Sequence, residues 1–373
     1  MTDQRFAALA HKLINYSVEL KKGEKILIEV TDPESDFTKA LISAAYAVGG
    51  LPFVKLENSA VQRQWLLGVN AEQVEAQARW DVARMSEMAA YVGVRVRQNA
   101  FELAGVPPEK LALFNKLLQE PVHQSLRVPK TKWVVLRYPN DSMAQEAKLS
   151  SDDFAEHYFK VCTLDYKKMS RAMDPLVALI NRTDRVEISG AGTELNFSIK
   201  GIGAVKCDGK RNIPDGEVYT APVRDSVEGC ITYNTASVNQ GTSYEQVRLE
   251  FCGGKIVKAV CGNQPAEKLE KIFDIDEGAR YIGEFAFGLN PHIMEPINDI
   301  LFDEKINGSF HFTPGCCYDS ADNGNKSALH WDLVCVQRPD FGGGEIRFDG
   351  QLVRKDGLFV LPELLGLNPE NLV

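Results

Sequence analysis

Several familiar catalytic and targeting patterns are missing from this 373-residue chain. No Gly-x-Ser-x-Gly occurs, which excludes the nucleophile elbow of a serine hydrolase. There is no Gly-x-x-x-x-Gly-Lys-[Ser/Thr] and no complete Gly-x-Gly-x-x-Gly. "GAGTEL" offers only two glycines, so no nucleotide site is read from pattern. His-Glu-x-x-His is absent, which removes a helix-borne zinc protease site. The eight cysteines include no Cys-x-x-Cys pair. A disulfide between the adjacent Cys316 and Cys317 would be strained, so reduced thiols and a cytoplasmic setting are expected. The longest apolar stretch, "ALISAAYAVGGLPFV", is broken by Gly-Gly-Leu-Pro and is too short for a bilayer. The N-terminus reads as an amphipathic helix, without the basic and apolar regions of a signal peptide. Blocks of like charge are also lacking. With 42 basic and 51 acidic residues the net charge is −9, which disfavours nucleic acid or an anionic membrane as partner.

What is present suits a soluble protein of one large or two ordinary domains, since 44% of residues are hydrophobic. The first third alternates strand and helix. "GEKILIEV" reads as a strand, "DFTKALISAAYAVG" as a helix with Asp36 at its N-cap, and "GLPFVKLE", "AAYVGVRV" and "KWVVLRYP" as further strands. That alternation predicts an N-terminal α/β domain with a largely parallel sheet. After a helical segment the texture becomes β-rich, with a hairpin expected at Gly253-Gly254. The expected domains are 1–150 and 151–373, with the boundary inside 105–185. The second is a β-rich α+β domain carrying the chemistry.

Only six histidines occur. Two lie within "FDEKINGSFHFTPGCCYDSADNGNKSALHWD", which also holds Glu304, Tyr318 and Asp332. "NGSFHF" and "ALHWD" both read as strands joined by a loop, so His311 is expected near His330 and Asp332. In a strand, His330 and Asp332 share a face and Trp331 points away. A lone His-x-Asp pair is more often structural. Two histidines among several carboxylates instead form the ligand set of hydrolytic zinc, cobalt or manganese sites. Glu284, set in the apolar run "YIGEFAFG", needs either a cationic side chain or a metal. Glu217, following the turn Pro214-Asp215-Gly216, reads on local grounds as a solvated surface residue.

Taken in order, these segments resemble the thermophilic metalloaminopeptidases of the aminopeptidase T, aminopeptidase S and PepS type. "HKLINYSVELKKGEKILIEV" is similar to the family's opening, "NIPDGEV" to its Asn-x-Pro motif and "IGEFAFG" to its Gly-Glu segment. "FDE", then a histidine, a tyrosine and His-x-Asp, completes the order before the tail "LPELLGLNPENLV". The resemblance implies a cytoplasmic homodimer that removes N-terminal residues from short peptides through a two-metal-activated water. It implies two divalent ions, zinc, cobalt or manganese. Glu217, Glu284, Glu304, His311, His330 and Asp332 would be ligands, with Glu284 as bridge. Tyr318 would be the active-site tyrosine and Glu217 the base. Rival readings are a catalytically silent peptide- or amino-acid-binding protein and a metallohydrolase of another bond. Between Glu284 and Asp332 only Lys305 and Lys326 could face a phosphoryl group, which favours a neutral amide.

Overall fold

The computed structural model describes residues 3–96, 98–99, 101–239 and 241–373. These form two compact units. One holds the residues up to Thr163 together with Gly209–Pro214; the other holds Leu164–Asp208 and Asp215–Val373. The helix Ser151–Cys162 belongs to the first unit. The return of 209–214 to the first unit has no local mark in the sequence.

The first unit is built on a five-stranded sheet. Its order is Leu51–Glu57, Lys25–Thr31, Ala90–Arg95, Lys132–Arg137 and Asn212–Ile213, all parallel. Ile26, Leu27, Ile28 and Val30 are all buried in the strand Lys25–Thr31. A parallel strand covered on both faces carries such a continuous apolar run rather than an alternating one. The helix Ser35–Ala47 follows it. Asp36 sits in the first turn and pairs with Lys39, while Glu34 occupies the N-cap without a side-chain cap bond. The expected Asp36 cap is therefore displaced by two residues; an acid in the first turn still complements the helix dipole.

The second unit is antiparallel. Eight strands form one sheet, including the hairpin Arg248–Cys252 and Lys255–Val260. Gly253 and Gly254 turn that hairpin at φ +56° and +79°, the left-handed pair a two-residue turn requires. Five strands form another sheet, in the order Val334–Val336, Ser309–Pro314, Ile282–Gly288, Glu217–Thr220 and Val205–Cys207. An aromatic layer lines one face of this smaller sheet. Phe285 and Phe312 meet Phe197 of the larger sheet at 5.2 and 5.1 Å between ring centroids, and Phe287 meets Phe348 at 6.1 Å. The run "ALHWD" is not a strand: His330 makes a single bridge to Gly315, and regular pairing starts at Val334. Among the described residues no helix is long and apolar enough to cross a membrane, and all eight cysteines are free.

Candidate metal centre

The period of two along Ile282–Gly288 decides which groups meet. Phe285 and Phe287 take the aromatic face, so Glu284, Ala286 and Gly288 take the other. Register carries that second face across the sheet. Gly288 lies opposite Glu217 and Ala286 opposite Tyr219; on the far side Ala286 lies opposite His311 and Glu284 opposite Thr313. The strand Glu217–Thr220 can start where it does because Gly216 turns the chain at φ +127°, with Asn290 N 3.2 Å from where a Cβ would stand. Glu217 is thus buried, at 7% exposure, and the solvated surface glutamate expected from the Pro-Asp-Gly turn is corrected. A neighbouring strand from far along the chain covers it, which the local pattern cannot report.

Glu284 turns one oxygen to each imidazole. His311 Nε2 lies 3.1 Å from Oε1, and His330 Nε2 lies 3.5 Å from Oε2. His311 Nε2 is also 3.6 Å from Glu217 Oε2, and His330 Nε2 is 3.3 Å from Asp332 Oδ1. Two groups result, Glu217–Glu284–His311 and Glu284–His330–Asp332, each with its ligand atoms within 4.8 Å of one another. His330 and Asp332 do stand side by side, and Trp331 packs away from them against Phe273 and Tyr244. The extended backbone therefore keeps the alternation even without a ladder.

These residues fit a divalent cation. His330 Nδ1 is 2.7 Å from the Cys316 carbonyl. A proton held there leaves the Nε2 lone pair facing the carboxylates, as an imidazole ligand needs. Thr313 Oγ1 donates to Asp332 Oδ1 at 2.7 Å, fixing that carboxylate from behind. Glu217 Oε2 is buried without a hydrogen bond; the Lys305 ammonium at 3.4 Å offsets part of that cost, and a divalent cation would offset more. Burial pushes the Glu284 carboxyl up, with Asp332 and Glu217 adding to the rise against His311. Burial opposes the His330 imidazolium, but Asp332 and Glu284 outweigh it and raise its pKa to about 10. Asp332 is held below the usual carboxylate range by His330, His311 and Thr313 in spite of its burial. An Nε2 bound to metal must lose its proton, so loading releases one.

Glu304 is not brought into either group. Its Oε1 pairs with Lys305 Nζ, and that ammonium, fully buried, lies 3.4 Å from Glu217 Oε2. Sequence reading missed this role for Lys305, because its neighbour Glu304 carried the attention. It also missed Cys207 and Asp215, which form a third close group with Glu217. Burial, then Glu217 and Asp215, push the Cys207 thiol well above its ordinary value, so it keeps its proton while no metal is near. Lys305 supplies positive charge to that group: burial opposes its ammonium, but Glu217 and then Asp215 overcome it. Tyr318 is half-exposed, its ring 4.8 Å from that of His330. Burial, then Glu284, Asp332 and Glu217, keep its hydroxyl protonated, and it can therefore donate a hydrogen bond.

A family model described as thermophilic metalloprotease (M29) matches residues 2–359. Aminopeptidase T of Thermus thermophilus is 26% identical over 92% of this chain and 93% of its own length. Aminopeptidase AmpS of Bacillus subtilis is 23% identical over 93% of this chain and 94% of its own length. The solved structure of wild-type AmpT from Thermus thermophilus superposes with a TM-score of 0.80 at 23% identity, covering 97% of this chain and all of that one.

Proposed function

This chain belongs to the thermophilic metalloprotease family M29, and from that membership we propose that it is a two-metal aminopeptidase, removing single residues from peptides with a free N-terminus. The observation that carries the proposal is the divided Glu284 carboxylate, one oxygen toward Glu217 and His311 and the other toward His330 and Asp332. A carboxylate so placed would serve both halves of a two-metal site, Glu217 and His311 completing one and His330 and Asp332 the other. The names of the relatives, aminopeptidase T and AmpS, support the substrate class.

When bound, zinc, cobalt or manganese would supply Lewis acidity, polarising a carbonyl and lowering the pKa of water from 15.7 toward about 7. The chain's own groups do the rest. Glu217, Glu284 and His311 form one half of the cradle, and Glu284, His330 and Asp332 the other. Glu304 is proposed to act one step back, holding Lys305 against Glu217, rather than as a ligand. Glu217 is proposed as the base that moves the proton from the attacking water toward the leaving amine. Tyr318 donates its hydroxyl hydrogen to the developing oxyanion; such a donor is worth about 2.7–4 kcal/mol when aimed well. The aromatic layer behind the sheet excludes water from the rear of the site. The family resemblance also supports a homodimer acting in the cytoplasm, which sedimentation and fractionation would check.

The test compares aminoacyl reporter substrates with their N-acetylated counterparts, before and after chelation. Hydrolysis of the free amines only, lost on chelation and restored by one of the three metals, is expected. Equal cleavage of acetylated substrates would defeat the exopeptidase reading.

A further inference from the structure

Resting on the two-metal reading, we infer that Lys305 makes the two halves of the cluster unequal, so that a divalent cation fills the Glu284–His330–Asp332 half before the Glu217–Glu284–His311 half. The two triads are alike in ligand type, each with two carboxylates and one imidazole. Their surroundings differ. The Lys305 ammonium, with no solvent exposure, lies 3.4 Å from Glu217 Oε2, the same oxygen that faces His311 Nε2 at 3.6 Å. A cation entering that half must share the oxygen with a fixed positive charge a few ångströms away, in a place where water screens little. Asp332 is braced instead by a neutral group, the Thr313 hydroxyl, and His330 by the Cys316 carbonyl. Glu304, paired to the same ammonium, anchors it. Lys305 is accordingly a positioning residue: it holds the Glu217 carboxylate when no metal does, and competes with metal for it.

The test is a zinc titration of purified full-length protein, stripped of metal, followed by competition with a chromophoric chelator. Wild type is expected to bind two equivalents in two steps whose constants differ at least tenfold. In Lys305→Met the weaker step is expected to tighten at least tenfold and the stronger to move less than threefold. The rise in melting temperature on zinc addition should also exceed that of wild type, because metal then relieves a buried carboxylate left unpaired. A second measurement needs no variant: anomalous scattering from crystals given half an equivalent of zinc should place most of it at His330 and Asp332. Two equal steps, two steps unchanged in Lys305→Met, or zinc found first at His311 and Glu217 would overturn the inference while leaving the two-metal reading intact. A single equivalent at saturation would overturn both.

Discussion

Glu29 in the first unit and Glu284 in the second are equally hidden, each 3% exposed, yet their surroundings treat the buried charge in opposite ways. Glu29 receives Arg95 at 3.0 Å, Lys55 at 3.4 Å and the Tyr91 hydroxyl at 3.1 Å. Burial alone would raise its pKa; Arg95 and Lys55 overcome that and bring it down to about 2. Asp81 joins the same network through Lys55 and Arg84. Negative charge there is met by permanent cations. Around Glu284 three carboxylates face two imidazoles, and its pKa moves up. Burial of an acid is therefore not in itself a mark of function; the want of a lysine or arginine against that acid is.

The contrast can be broken by substitution. Glu284→Gln should have the largest effect. It removes the ligand shared by both halves, so hydrolysis should fall by more than about 10²-fold, beyond the loss of an outer partner. Metal content, measured by elemental analysis, should drop with it. Tyr318→Phe should lower kcat by about 10²-fold while leaving zinc stoichiometry unchanged; loss of metal in that variant would make the tyrosine a structural support. Glu29→Gln should do the reverse. Stability is expected to fall by about 2 kcal/mol, less than for a fully buried pair because the Arg95 side chain is 38% exposed. Metal binding should be untouched. Chemical denaturation reads the first quantity and a zinc titration the second.

The smallest expected effect is in pH. Glu29, at about 2 in the folded chain against 4.5 ordinarily, contributes stability above pH 4.5 that is lost as pH falls toward 2. His123 is lowered from 6.5 to about 4 by burial, and Arg127 opposes its charge further. Its contribution is complete above pH 6.5 and lost as pH falls toward 4. Asp303 in the second unit goes the other way: burial, with Asp299 near, raises it from 3.8 to about 7. A carboxyl that binds its proton more tightly when folded strengthens the fold as pH falls from 7 toward 3.8. Hydrogen exchange followed by mass spectrometry should show protection declining in the first unit between pH 7 and 4 while the segment around Asp303 holds. Parallel decline in both would contradict these assignments.

Some of this was readable in one dimension because it is local. His330 and Asp332 are two residues apart, and any extended backbone sets them together. The parallel sheet announced itself through buried runs separated by helices. The hairpin at Gly253 was visible because two glycines supply the left-handed turn. Lys305 was not readable, and Glu217 was marked only by the family resemblance, against its local pattern. Glu217 follows a turn sequence that ordinarily lies at the surface, and only pairing with Ile282–Gly288, many strands later, buries it. Lys305 lies next to a carboxylate that matched the family pattern, and its partner Glu217 is remote in sequence. The two-residue strand Asn212–Ile213 joins the first sheet across an intervening part of the second unit; two residues carry no periodicity.

The tautomer of His330 depends on a main-chain oxygen, and no side-chain replacement at Cys316 can remove that acceptor. The lever lies one residue earlier. Gly315 adopts φ +109°, and a Cβ there would come 2.1 Å from the Leu329 carbonyl oxygen. Even a methyl group at that position must pry the His330 segment off the sheet and carry the imidazole away from its proton acceptor. Control over which ring nitrogen stays bare is thus written into the path of the backbone, where a catalytic residue can be re-aimed without being changed.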